Sequence, residues 1–376
     1  MLTLSEQVGQ LLTIGFEGDC WNRGLEALLR RISPGGVIFF SRNIKTAPEF
    51  HSLAGRIRQH LKTPPFLAID MEGGQVDRLR DALAPLPAVR EVARAGMAAD
   101  MGKMAGRELA SFFLNVDFAP VLDLTSTESE DVLGNRTAGN SPEAVIRFAE
   151  EFLAGLAESG VTGCGKHFPG LGGGQKDSHR ELPCIRKAEA DLWQQDLLPF
   201  RALAAKLPMV MVSHASYPEL EGAPSDAAAK TDSPLPASLS HAIITGLLKE
   251  RIGYQGLVLS DDLEMGAILR HRTIAEAAVE AVRAGCDGIL VCRHASNVQK
   301  AFDALCQEAG RDENFRALVE LASKKVLTTK KDLLRAEPPA ASTPPHWDLL
   351  RREIREFAAA VERRLTANPA GKEGVG

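Results

Sequence analysis

Short, almost wholly apolar runs recur along this chain, and stretches with one apolar face separate most of them. Eight such runs are legible: Leu11–Gly15, Gly36–Phe40, Phe66–Asp70, Val116–Pro120, Gly163–Phe168, Met209–Ala215, Gly256–Asp261 and Gly288–Arg293. Between them the spacing predicts helices over Pro48–Leu61, Val89–Phe113, Pro142–Ser159, Lys187–Lys206, Pro236–Arg251, Ile274–Ala284 and Ser296–Gln307. Strands alternating with helices imply a parallel sheet. A count of eight favours closure into a single (β/α)8 barrel of the TIM type. The competing architecture, an open doubly wound sheet, wants a glycine-rich phosphate turn after its first strand, and Gly15-Phe16-Glu17-Gly18 is a weak match. Polar residues gather where the runs end, at Asp70, His167, His214, Asp261 and Arg293. In a barrel that is the C-terminal face, where active sites are built.

The pattern changes near the end. Glu337 to Pro345 is a Pro/Ala-rich linker that no helix accommodates. Beyond it, Trp347, Leu350, Ile354, Phe357, Val361 and Leu365 fall on one helical stripe. The division read from this is a barrel over residues 1–335 and a tail over 336–376 made of linker, amphipathic helix and a disordered end. The tail helix is expected to pack on the barrel exterior rather than to bind a partner.

Composition narrows the function. A net charge of −5 without a dense Lys/Arg tract gives no reason to expect a nucleic-acid partner. Met1–Leu12 lacks the features of a signal peptide, and no apolar run approaches membrane-spanning length. The six cysteines show no close metal-type pairing, so a reduced, cytoplasmic setting is expected. His-x-His and His-Glu-x-x-His pairs are absent, which argues against a metallohydrolase. No metal or organic cofactor is implied, and the expected state is a monomer or weak homo-oligomer.

Two segments carry the chemistry. Gly165 to His179 runs from an apolar stretch into a glycine-rich loop that ends in Asp177 and His179, two residues apart. Glycines give such a loop freedom to move, carrying the acid and imidazole as a unit. The second segment, Gly256 to Leu263, is a strand-like run ending in Asp261 and Asp262. Together they suggest a mobile acid/base and a fixed carboxylate nucleophile. From spacing alone, Asp261 and Asp262 divide evenly between nucleophile and helix cap. His214 reads equally well as pocket floor or satisfied core histidine and stays outside the catalytic set.

Several motifs in order resemble glycoside hydrolase family 3, in the β-N-acetylglucosaminidase branch of bacterial cell-wall recycling. They are Phe39-Phe40-Ser41-Arg42-Asn43, Ile69 to Arg78, Asp117 to Asp123, Gly134-Asn135-Arg136, Lys166 to His179 and Ser260 to Met265, spread over roughly residues 1–335. The resemblance implies Asp261 as nucleophile and His179 as acid/base with Asp177 beside it. Asp70, Arg78, Arg136, Lys166 and His167 take the substrate-binding positions. The activity implied is a retaining exo-β-N-acetylhexosaminidase that removes terminal N-acetylglucosamine from muropeptides. A phosphorylase of the same fold, or a β-glycosidase of other sugar specificity, is the alternative. Two departures stand out. Leu171 occupies a position where the family usually has histidine, and Gln75 one where it usually has arginine. They bear on loop closure and fine specificity.

Overall fold

All eight apolar runs form strands of one closed parallel barrel. They are β1 (Leu12–Ile14), β2 (Gly36–Phe39), β3 (Phe66–Ile69), β6 (Val116–Asp117), β7 (Thr162–Phe168), β8 (Met209–Val212), β9 (Leu257–Asp262) and β10 (Gly288–Val291). Each pairs with its neighbour in chain order, and β10 returns to β1 through Leu12↔Ile289, Thr13↔Leu290 and Ile14↔Val291. A short hairpin, β4 (Met71–Gly73) and β5 (Val76–Asp77), is set into the connection after β3. The computed structural model describes residues 2–126, 133–173, 182–221, 235–334 and 346–367.

Alternate residues of the strands separate into two cores, as a period of two requires. Ile38, Ala68, Phe118, Cys164, Met211, Leu259 and Leu290 fill the barrel interior. Val37, Leu67, Val210, Val258, Ile289 and Val291 face the helices outside. Both faces are therefore apolar, which is why the strands read as unbroken hydrophobic runs. The tightest approach occurs just past β1, where any side chain on Gly15 would collide with the backbone of Cys292.

Helix starts follow capping chemistry. Thr46, Ser141 and Thr273 each accept a backbone N–H three residues on, and Thr273 with Glu276 forms a reciprocal capping box. Three sequence expectations need correction. The stretch Val89–Phe113 is two helices, Val89–Ala95 and Ala98–Ala110, because Gly96 turns left-handed at φ 64° and ends the first. Lys187–Lys206 likewise holds two short helices, Glu189–Gln194 and Leu197–Leu203. Pro236–Arg251 forms a 3-10 turn followed by a π-helix over Ala242–Arg251. Helices over Leu4–Gln10, Arg23–Ile32 and Glu313–Leu333 were not anticipated.

The tail helix spans Trp347–Ala367 and buries Leu350, Ile354, Phe357 and Val361. It lies on the barrel exterior against the helices Val89–Ala95 and Ala98–Ala110, with Trp347 stacked on Phe112 at 4.8 Å. The linker and the last nine residues lie outside the described residues.

Candidate active site

The strand ends converge on a cavity of about 420 Å³. Asp70, Arg78, Arg136, Lys166, His167 and Asp261 all line it, together with Glu72, Asp262, Phe40, Arg42 and Arg293. Its apolar lining comes from the barrel interior, through Ile38, Phe118, Met211 and Leu290. Six of the eight residues singled out from the sequence thus share one site. Asp177 and His179 lie outside the described residues.

One wall is an ion-pair network. Lys166 Nζ sits 2.7 Å from Asp70 Oδ1 and 2.6 Å from Glu72 Oε1. Arg136 grips Glu72 with both arms of its guanidinium, at 2.7 and 2.9 Å. Burial opposes charge at Glu72, Lys166 and Arg136, but their partners outweigh it. Arg136 and Lys166 hold Glu72 well below the carboxylate range, while Asp70 and Glu72 keep Lys166 above the usual ammonium range. Glu72, Lys166 and Arg136 therefore stay charged across ordinary pH. Arg78 stands further off, with Nη2 3.8 Å from Asp70 Oδ2. Its buried Nε has no hydrogen-bond partner among the described residues.

His167 belongs to a second pair. Its Nδ1 lies 2.7 Å from Asp123 Oδ2, and the other Asp123 oxygen accepts the Leu171 N–H at 2.7 Å. Asp123 thus fixes both the imidazole and the start of the glycine-rich loop. Tyr217 adds a bond to the Gly170 carbonyl at 2.7 Å. Leu171 itself turns an apolar side chain into the cavity, whereas Gln75 is exposed at the tip of the β4–β5 hairpin. The peptide between Lys166 and His167 is cis, and the β7–β8 register slips there.

Glu72 and Asp123 were missed as site residues. Glu72 had a legible signal, since it is two positions from Asp70 and extended chain returns to the same side every second residue. Asp123 had none beyond closing its motif, because its partner His167 is distant in sequence.

Asp261 and Asp262, equivalent in spacing, are separated by their surroundings. Burial would raise the Asp261 carboxyl, but the imidazoles of His214 and His167, the Asp262 N–H at 2.7 Å and Lys166 hold it below its ordinary value. Burial pushes Asp262 up to about 7, and the nearby charges of Glu264 and Asp261 add to the shift. Asp262 serves the backbone, accepting the N–H groups of Glu264 at 3.0 Å and Cys292 at 3.1 Å. It is not a helix cap, since Met265 precedes the next helix. His214 resolves as a buried core histidine, bonded to Ser238 Oγ at 2.6 Å and to the Asp262 carbonyl at 2.9 Å.

No group of three or more His, Cys, Asp or Glu side chains among the described residues is arranged to hold a metal ion. No helix among them is long and apolar enough to cross a membrane.

Comparison with known proteins gives a consistent result. The glycosyl hydrolase family 3 N-terminal domain model matches residues 3–328. A β-hexosaminidase from Alkalilimnicola ehrlichii is 37% identical over 293 residues, covering 75% of this chain and 80% of its own. One from Thioalkalivibrio sulfidiphilus is 35% identical over 309 residues, covering 78% and 84%. Among solved structures, a family 3 β-N-acetylglucosaminidase from a Paenibacillus species superposes with a TM-score of 0.83 at 31% identity, over 95% of this chain and 69% of that one. A β-N-acetylhexosaminidase from Beutenbergia cavernae gives 0.79 at 26% identity, over 88% and 99%.

Proposed function

We propose that this chain, which belongs to glycosyl hydrolase family 3, is a retaining exo-β-N-acetylhexosaminidase that removes terminal non-reducing β-N-acetylglucosamine from peptidoglycan-derived muropeptides. The observation that carries this reading is an anionic strand-end carboxylate, Asp261, sharing one cavity with a charge-balanced wall of Asp70, Lys166, Glu72 and Arg136.

Retaining hydrolysis needs a carboxylate that is ionised before substrate arrives, because it attacks the anomeric carbon. Asp261 meets that need and Asp262 does not. In the wall, Asp70 accepts sugar hydroxyl protons while Lys166, Arg136 and His167 donate to hydroxyl oxygens, which fixes the ring in register. His179 then protonates the leaving oxygen, with Asp177 orienting its ring. In the second half, His179 takes a proton from water, and that water displaces Asp261 from the sugar. The barrel over residues 1–335 is the catalytic unit in this reading, with the tail an outer support. The setting is the cytoplasm, in recycling of cell-wall fragments.

Aryl glycosides test the proposal directly. An aryl β-N-acetylglucosaminide should be turned over with a kcat/KM well above that of the matching β-glucoside, and phosphate should not change the product. Preference for the glucoside would sink the sugar assignment, and a glycosyl phosphate product would make the enzyme a phosphorylase. Asp261→Ala should nearly abolish turnover while N-acetylglucosamine still binds.

A further inference from the structure

Three carboxyl side chains are buried behind the segment that carries Asp70, Glu72 and Arg78, and the mechanism above uses none of them. Asp77 in β5 accepts the N–H groups of Leu79 at 3.0 Å and Leu86 at 2.9 Å, which closes the loop that follows Arg78. Asp117 ends β6, and its Oδ1 accepts the Met71 N–H at 3.0 Å. Glu108, on the helix Ala98–Ala110, is wholly buried. Among the described residues, Asp117 Oδ2 and both Glu108 carboxyl oxygens have no hydrogen-bond partner.

Met71 is the residue between Asp70 and Glu72, and these two carboxylates hold Lys166 from either side. A backbone shift at Met71 would move both. We propose that Asp117 is a positioning residue: through the Met71 N–H it fixes the backbone between Asp70 and Glu72, and it does so by accepting a hydrogen bond, not by carrying charge. The chemistry around it supports the second half. Burial pushes the Asp117 carboxyl well above its ordinary range, and the charges of Asp70 and Glu72 push the same way. The Met71 N–H and Lys166 oppose them without overcoming burial, and Lys166 is already committed to those two acids. From the outer helix, Glu108 faces Asp117 as another acid, itself raised well above its usual value by burial and by Asp77 and Asp117. A neutral side chain with one acceptor oxygen is what such a site tolerates.

The proposal rests on reading the cavity as a sugar site, so the test pairs a substrate-free measurement with a kinetic one. Asp117→Asn keeps the acceptor but cannot ionise, whereas Asp117→Ala removes the acceptor as well. Amide hydrogen exchange across residues 70–73 is compared in the wild type and both variants, alongside kcat and KM on an aryl β-N-acetylglucosaminide. Asn should retain the wild-type exchange protection and KM. Ala should lose the protection and raise KM about tenfold, the scale of one lost buried hydrogen bond, with kcat little changed. Should Ala not fold, Asp117→Leu fills the volume without an acceptor and gives the same comparison. Equal damage in the Asn and Ala variants would mean that charge is what matters, and an undamaged Ala variant would remove the positioning role. A wild type inert on the glycoside overturns the sugar reading instead, and the exchange comparison still decides the role of Asp117.

Discussion

Two lysines among the described residues are buried in this barrel, one toward each end, and their surroundings drive them in opposite directions. Lys166, at the C-terminal face, lies between Asp70 and Glu72 and is held in its charged form. Lys330, at the opposite end, donates to the side-chain oxygen of Gln10 at 2.8 Å and lies over the Phe66 ring. With no acid among the described residues to offset burial, its pKa falls to about 7. The two amines are almost equally hidden, at 2% and 4% exposure, so depth alone does not set their charge. The partner does. The cavity end of the barrel maintains paired charge at a desolvation cost, and the other end suppresses it.

Substituting both lysines should break the comparison most visibly. Lys166→Met takes away the amine between Asp70 and Glu72 and leaves their like charges opposed across the cavity wall. It should destabilise the fold by about 3 kcal/mol, as breaking a buried pair does, and should lower kcat/KM roughly a hundredfold by misplacing both acids. Lys330→Met removes a poorly compensated amine and should leave activity unchanged and stability equal or higher. Thermal unfolding and kinetics on the two variants check this. Equal damage from both would show that burial, not partnering, governs each site.

The second difference appears in the pH dependence of stability. Lys330 has a folded pKa of about 7, below an unfolded value of about 10.4. Between these values the unfolded chain binds more protons than the folded one. Stability should therefore rise with pH across that window, with a slope approaching about 1.4 kcal/mol per unit, and the contribution should flatten below pH ~7. Lys166 has the opposite sign, since its folded pKa is raised: its contribution is complete below the unfolded pKa and fades only at strongly alkaline pH. Urea unfolding of wild type and Lys330→Met from pH 7 to 10 should show the slope in the first and its loss in the second. A slope that survives the substitution would assign it elsewhere.

The smallest effect concerns the neighbouring acids. Asp262, with a pKa of about 7, is largely neutral at pH 6, and the Glu264 and Cys292 N–H groups need only its acceptor oxygen. Asp262→Asn should therefore change kcat/KM at pH 6 by no more than about threefold. A loss as deep as that of Asp261→Ala would exchange the roles of the two acids.

The barrel was legible because its strands are apolar on both faces and its helices on one, so each kind of element advertised itself. Where the reading failed, the cause was a local break inside a continuing pattern. Val89, Val92 and Ala95 face the same core as Ala98, Met101 and Ala105, so the spacing ran straight through the turn at Gly96. The β4–β5 hairpin is too short to show a period, and the π-helix buries Ile243, Ile244, Leu247 and Leu248 at spacings that an ordinary helix also gives. At the site, residues that touch the cavity stood out at strand ends. What lay hidden was their pairing: Glu72 with Arg136 and Asp123 with His167 meet only through folding. The imidazoles of His214 and His167 and the Lys166 amine, which hold Asp261 down, are equally remote in sequence. Roles for Asp177 and His179 rest on resemblance.

The stack of Trp347 on Phe112 also makes the chain optically informative. Only three tryptophans are present, and the other two carry arginines over their rings, Arg56 on Trp21 and Arg201 with Arg251 on Trp193. Trp347 alone sits on the tail helix, pressed against the outside of the barrel. Its emission wavelength follows whether that helix is seated. A fluorescence spectrum taken during gentle heating can therefore distinguish release of the clasp from collapse of the barrel, with no label attached to the protein.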